Sequence, residues 1–140
     1  IDNYDISILE TFQSNIFWNK VKNLEVFSST KNNIIRVVIP PSQCVQLVFQ
    51  LSGKFKYYLD WGGALVWIEA CELTEEMFES IKKKVVKLGG YATMIKHSDY
   101  LPYVEEVFTI NRGRFIISQN IKKSFDPKSI LNPGKMYTGI

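Results

Sequence analysis

Apolar residues in this 140-residue chain recur at helical intervals in some stretches and run continuously, rich in β-branched side chains, in others. Ile6, Leu9, Phe12, Ile16, Phe17 and Val21 are spaced as one face of a helix behind Asp2 and Asp5, which predicts a helix over the second half of residues 1–23. Such a face has to dock on something. Asn33 to Ile39 is apolar and β-branched apart from Arg36, and Pro40-Pro41 ends it, so a strand is predicted there. From Gln43 to Leu51 the pattern is double. Ser42 can cap a helix, yet Val45, Leu47, Phe49 and Leu51 also alternate as in a strand; the helix is preferred.

Lys54 to Asp60 and Ala64 to Ala70 are aromatic and β-branched runs on either side of Trp61-Gly62-Gly63, a pattern that predicts a hairpin turning at the two glycines. Thr74 to Leu88 has the sharpest helical signature: Thr74 as N-cap, Glu75, Glu76 and Glu79 toward the positive end of the dipole, and Lys82, Lys83, Lys84 and Lys87 toward the negative end. Gly89-Gly90 stops it. Met77, Phe78, Ile81, Val85 and Leu88 form its buried stripe, with Leu73 stapled to Phe78. Tyr91 to Lys96 is the last predicted strand and Ser98 to Arg112 an irregular stretch. Phe115, Ile116, Ile121 and Phe125 mark a final helix that stops before Asp126-Pro127.

The order is helix, β-α-β-β-α-β, helix. It predicts an α+β fold, a ferredoxin-like split βαβ sandwich with a four-stranded antiparallel sheet, two helices on one face and flanking N- and C-terminal helices. On this reading residues 1–140 are one domain: a leading helical segment at 1–23, the βαββαβ core at 24–111, and a C-terminal helix and tail at 112–140. The second sheet face is then solvated, covered by the flanking helices, or a binding surface.

Composition changes this picture little. With 46% hydrophobic and 14% aromatic residues the chain can build an ordinary core. Its net charge of +3, spread except for the lysine run, is too mild to argue for nucleic acid. That run is a solvated helix end before it is an anion patch. Cys44 and Cys71 both lie in apolar surroundings, which predicts buried free thiols and a reducing compartment. No apolar run is long enough for a membrane-spanning helix.

The closing run "SFDPKSILNPGKMY", Ser124 to Tyr137, is unusually constrained for a chain end. Asp126 before Pro127 can cap a new turn through Lys128 to Leu131, and Asn132-Pro133-Gly134-Lys135 fits a type II turn. Ile130 and Leu131 would pin such a tail. Alternatively, the free amides of the turn and Lys135 face an anionic or electron-rich partner.

"FDPKSILNPGKMY" resembles the C-terminal signature of FAD-linked oxidases of the vanillyl-alcohol oxidase type. "FWNKVKN" at 17–23, "RVVIPPS" at 36–42, "LDWGGALVWI" at 59–68 and "LGGYATMIK" at 88–96 are similar, in the same order, to the FAD-binding subunits of bacterial glycolate oxidases. The likeness runs over about residues 16–138. The resemblance implies the C-terminal cap domain of a longer flavoprotein, with FAD bound mainly by an N-terminal domain that this chain does not include. It implies further partners in a catalytic flavoprotein subunit and an iron-sulfur subunit, and a cytoplasmic place, peripheral at the inner membrane. The uncovered sheet face would lie over the flavin ring, and the tail, with Asn132, Pro133, Gly134 and Lys135, would run toward the flavin domain.

Members of that superfamily that oxidise 2-hydroxy acids carry a histidine-rich metal site with an "HxGDGN" type stretch. This chain has a single histidine, His97, just after the last strand, and no such stretch. Oxidising a hydroxy acid needs a Lewis acid or a base for the hydroxyl proton and cations for the carboxylate, and only the cations are plentiful. No catalytic residue and no metal ligand is therefore assigned, and the hydroxy-acid site is placed in a partner subunit. The flavin- or substrate-facing candidates are Arg36, alone in an apolar strand, Asp60 at a strand end, Trp61 and Trp67. For Asp60 the alternative is a turn stabiliser. Arg112 and Arg114 read as solvated charges at a helix start. A different class, a free-standing ligand- or RNA-binding module, is suggested by Lys54-Phe55-Lys56-Tyr57-Tyr58, but no RNP-like aromatic pattern accompanies it.

Overall fold

A computed structural model of the chain describes residues 6–27, 32–97, 107–134 and 137. It divides into two compact units, Ile1–Thr30 and Lys31–Ile140. The first holds helix α1, Thr11–Lys22, which opens with a capping box in which the Glu10 and Gln13 side chains each bond the other's backbone amide. Phe17 and Trp18 meet edge to face within it, 5.3 Å apart.

The second unit follows the expected order: β1 (Asn33–Val38), α2 (Pro41–Leu51), β2 (Lys56–Asp60), a 3-10 turn at Trp61–Gly63, β3 (Leu65–Ala70), α3 (Glu75–Lys87), β4 (Tyr91–Lys96) and α4 (Arg112–Phe125). The four strands lie in the order β2-β3-β1-β4, every neighbouring pair antiparallel. This is the split βαβ arrangement. Ile35, Val37, Val66, Ile68, Ala92 and Met94 point from the sheet into one core with Leu47 and Leu51 of α2 and Phe78, Ile81 and Val85 of α3.

Several local expectations change in detail. Helix α2 starts two residues earlier, on Pro41, and Ser42 makes no cap; proline's fixed φ and missing amide suit the first helical position. The helix wins over the strand pattern because Cys44, Leu47 and Leu51 are buried at helical spacing while Val45 and Phe49 face out. The hairpin is a wider turn than two glycines, since Trp61, Gly62 and Gly63 all take positive φ, at 52°, 60° and 90°. In α3 the expected stripe loses Met77, which is exposed, and gains Lys82, which is 7% exposed. The Lys82 ammonium lies 4.9 Å from the centre of the Phe78 ring and pairs with Glu79, so this lysine is buried by its stem and satisfied at its tip. The lysine run is therefore not uniformly solvated. Cys44 is buried, its thiol pushed up by desolvation, but Cys71 is exposed just past β3.

The stretch expected to be irregular adds an edge. Thr93 of β4 bridges Phe108, the Met94 amide donates to the Val107 carbonyl at 2.7 Å, and the Thr109 amide donates to the Ala92 carbonyl at 3.0 Å. The Ala92 amide in turn donates to the Thr109 hydroxyl at 3.0 Å. The outer edge of β4 is thereby capped.

Gly90 marks the tightest approach in the core. A Cβ there would sit 2.5 Å from the Val38 carbonyl oxygen and 3.1 Å from a Val85 methyl. Gly90→Ala is expected to lower stability by about 1–3 kcal/mol through overpacking, and Phe78→Ala by about 3–5 kcal/mol through the cavity it leaves. In helix α4, Gly113→Ala meets nothing closer than 3.5 Å and is expected to raise stability by up to about 1 kcal/mol. Chemical denaturation of the three variants checks both the sizes and the opposite sign.

Candidate functional site

Alternation along the strands sends every second side chain to the face opposite the helices. Register then sets neighbours on that open face. Tyr58 stands beside Trp67, Trp67 beside Arg36, and Arg36 beside Thr93. The Tyr58 and Trp67 rings stack with centroids 6.3 Å apart and planes at 25°. The Trp61 ring, carried by the positive-φ turn, lies 5.3 Å from the Arg36 guanidinium carbon. Such a cation–aromatic contact contributes on the order of 0.5–1 kcal/mol at an exposed site. Tyr58 has its hydroxyl pushed up, by desolvation first and by the Asp60 carboxylate second.

Asp60 accepts a hydrogen bond from the Trp61 amide at 2.7 Å, so it stabilises the turn that delivers Trp61. Arg36, Asp60, Trp61 and Trp67 are thus brought together. Around Trp67 and Tyr58 the sequence signal was one of composition only; which residues share a row follows from register.

A cleft of about 540 Å³ opens at the β4 end of this face. Arg36, Thr93 and Ile95 form its floor, Phe108 and Thr109 one side, and Arg114, Ile117 and Ser118 of α4 another. Tyr137 from the tail enters it, with ring centres 5.6 Å from Phe108 and 6.2 Å from Phe115. Arg114, read from sequence as a solvated helix-start charge, lines this cleft beside Arg36; pairing them needed the fold. Among the described residues neither arginine has a carboxylate partner.

Glu69 is the other residue the sequence reading passed over. It lies on the same face, its side chain fully buried, and Oε1 accepts from Asn32 Nδ2 at 2.8 Å. Oε2 lacks a hydrogen bond and stands 3.9 Å from Lys56 Nζ. The signal was available: a single carboxylate in the apolar run "ALVWIEA" is the same anomaly that drew notice to Arg36.

The tail is fastened differently from expectation. Ile130 and Leu131 are exposed and do not pin it. Instead Asp126, 5% exposed, accepts from the Ile130 amide at 3.0 Å and the Leu131 amide at 2.9 Å, and pairs with Lys122 at 2.7 Å. The Lys122 ammonium also donates to the Leu131 carbonyl. No new helical turn forms at Lys128 to Leu131; a turn closed by the Ser129 amide on the Asp126 carbonyl stands there. Asn132 and Gly134 take positive φ of 45° and 68°, and residues 132–134 are exposed. Lys135 and His97's neighbour Ser98 lie outside the described residues. His97 itself is exposed.

Among the described residues no group of three or more His, Cys, Asp or Glu side chains is placed to hold a metal. No helix among them is long and apolar enough to cross a membrane.

No family model matches the chain, and no solved structure matches it. The glycolate oxidase subunit GlcE of Escherichia coli K12 is 25% identical over 124 residues, which cover 86% of this chain and 31% of that protein. The chain is similar to a glycolate oxidase subunit. It spans about a third of the length of that relative, and the matched span includes most of the sheet that carries the open face.

The tail clamp makes a pH prediction. Hydrogen bonds from Lys122, Leu131 and Ile130, with the Lys122 bond foremost, hold the Asp126 carboxyl at about 2 against an ordinary 3.8. A carboxyl lowered on folding contributes stability that is complete above its unfolded value and is lost as pH falls through its folded value. The Ile130 and Leu131 amides are expected to stay protected from exchange at about pH 5 and to lose protection between pH 3.8 and about 2. In Asp126→Asn they should exchange fast across this range. Amide hydrogen exchange followed by mass spectrometry reads both.

Proposed function

We propose that this chain is the C-terminal cap domain of the FAD-binding subunit of a glycolate oxidase or dehydrogenase, walling the flavin and supporting electron transfer while a partner subunit holds the hydroxy acid. The observation that carries the reading is the open face: Tyr58, Trp67, Arg36 and Trp61 form a continuous aromatic and cationic layer on the side of the sheet that α2 and α3 leave uncovered. The likeness to a glycolate oxidase subunit supports the class.

The residues present fit a flat ring system. Trp61 and Trp67 offer planar apolar surface, and Arg36 sets a fixed positive charge beside whatever becomes electron-rich there, without a competing carboxylate among the described residues. Bound FAD would supply acceptance of two electrons and their onward transfer, and the chain would supply position and electrostatics. Glu69 and its Asn32 bond hold the neighbouring row of that face in place.

A second feature supports docking on a larger body. Ile117, Ile121 and Phe125 recur every four residues along α4 and are 59%, 55% and 85% exposed. Ile130 and Leu131 in the clamped tail are exposed as well, and exposed apolar residues of this kind suit a docking surface. The flavin domain is the partner proposed for it, and the catalytic flavoprotein and iron-sulfur subunits are proposed as the wider complex.

A protein that joins this chain to the remainder of a GlcE-like sequence is expected to bind FAD and show the visible absorbance of an oxidised flavin, whereas residues 1–140 alone should not. Trp67→Ala and Arg36→Gln are each expected to shift that spectrum or weaken retention of the cofactor by about tenfold. A folded full-length protein without flavin absorbance after reconstitution would refute the proposal. Salt-dependent retention of RNA by the same face, which the stacked Tyr58 and Trp67 would allow, would favour the binding-module reading instead.

A further inference from the structure

We infer that Cys71 is a thiol–disulfide exchange site, set in a pocket that receives a small disulfide carrying both ammonium and carboxylate groups, as glutathione disulfide does. The inference goes beyond the flavin reading and does not require it.

The pocket, of about 650 Å³, opens where the chain enters β2 and leaves β3. Cys71, one residue past β3, is exposed and lines it. Its sulfur is held in place: Asn32 Nδ2 donates to Cys71 Sγ at 3.3 Å and to Glu69 Oε1 at 2.8 Å. One nitrogen therefore sets the thiol and a carboxylate side by side.

That carboxylate calls for a ligand of its own. The Glu69 side chain lines the pocket and is fully buried, yet its Oε2 accepts no hydrogen bond. Lys56 Nζ, on the register neighbour of Glu69, stands 3.9 Å away, beyond hydrogen-bond reach. A buried carboxylate oxygen without a donor is costly, and an ammonium on an entering molecule would relieve it. The Lys56 side chain is 68% exposed, so it can swing aside to admit one. Positive charge is present too. Lys54 lines the same pocket and has no ion-pair partner among the described residues. With Glu72 also in the wall, the sulfur is ringed by two lysines and two carboxylates. Such a ring matches a molecule bearing both signs, whereas a neutral disulfide gains nothing from it. A volume of this size also has room for a tripeptide-sized half.

In the step proposed, the Cys71 thiolate attacks one sulfur of the disulfide. A bond forms between that sulfur and Cys71 Sγ as the original S–S bond breaks, and the other half leaves as a thiolate that takes up the proton lost by Cys71. Cys71 is oxidised and the small disulfide reduced, so no further reactant is needed.

The test treats the full-length protein with glutathione disulfide and, separately, with neutral 2-hydroxyethyl disulfide, and follows adducts on the Cys71 peptide by mass spectrometry. Rates on the same protein unfolded in urea give the intrinsic reactivity of each reagent. Relative to those rates, folding is expected to favour glutathione disulfide over the neutral reagent by at least about tenfold. Lys54→Gln and Glu69→Gln should each remove most of that preference and leave the neutral reagent's rate unchanged. Dithiothreitol should return the peptide to its original mass, as a mixed disulfide requires. No adduct on Cys71 in the folded protein, an adduct without preference over the neutral reagent, or a preference unchanged in Lys54→Gln would each overturn the inference. Lys54 is exposed, so its variant keeps the test decisive if Glu69→Gln does not fold.

Discussion

The antiparallel pairing of β1 with both β3 and β4 is the constraint on which the rest of this molecule depends. Once Ile35 is opposite Ile68 and Met94, and Val37 opposite Val66 and Ala92, one face of the sheet is committed to Phe78, Leu47 and Val85. The strand period of two then leaves no choice about where Arg36 goes. A slip by one residue would bury the guanidinium in an apolar core and expose Ile35 and Val37, a reversal too costly to compete. The open face is thus a by-product of the packing face, and both are specified by the same hydrogen-bond ladder.

What makes that face more than leftover surface is how its residues are held. Trp61 reaches Arg36 only because three successive residues adopt positive φ, a conformation unfavourable for tryptophan that Asp60 supports through the Trp61 amide. Glu69, entirely buried, is bonded by Asn32 in the segment that leads into β1. On the far edge, residues 107–109 close the ladder of β4 and so place Phe108 and, after them, α4 beside the sheet. The cleft exists because the edge is capped. Asp126 completes the arrangement by locking the chain just after α4, and Tyr137 then arrives against Phe108 and Phe115. The stiffness of the C-terminal run comes from one carboxylate and one lysine, with its apolar residues left outward. This combination leaves Ile130 and Leu131 exposed beside a clamped carboxylate.

Local signals carried the element types far. Thr74 with its acids and lysines, the β-branched run before Pro40-Pro41, and the alternation around Trp61-Gly62-Gly63 are each read within a few residues, and the order of elements then permits few topologies. The same locality explains the failures. Lys82 looked solvated because its neighbours are, but its stem lies over Phe78. Cys71 looked buried because β3 is apolar, but it falls one residue past the strand. Ile130 and Leu131 looked like anchors because apolar side chains usually are, yet a polar clamp four and five residues back took that role.

By itself the sequence determined that this chain builds a four-stranded α+β sandwich and that its motifs resemble an FAD-linked oxidase, and it named Arg36, Asp60, Trp61 and Trp67 as candidates for a flavin- or substrate-facing surface. These follow from periodicity, capping and short motifs, all of which are properties of neighbouring residues. Only the tertiary structure decided that Trp61 covers Arg36, that Arg114 shares a cleft with it, that Glu69 is sealed beside Asn32, and that Tyr137 lies against Phe108 and Phe115. Each of those depends on strand register or on where a distant segment lands, and no spacing along the chain encodes a contact between residues 36 and 114.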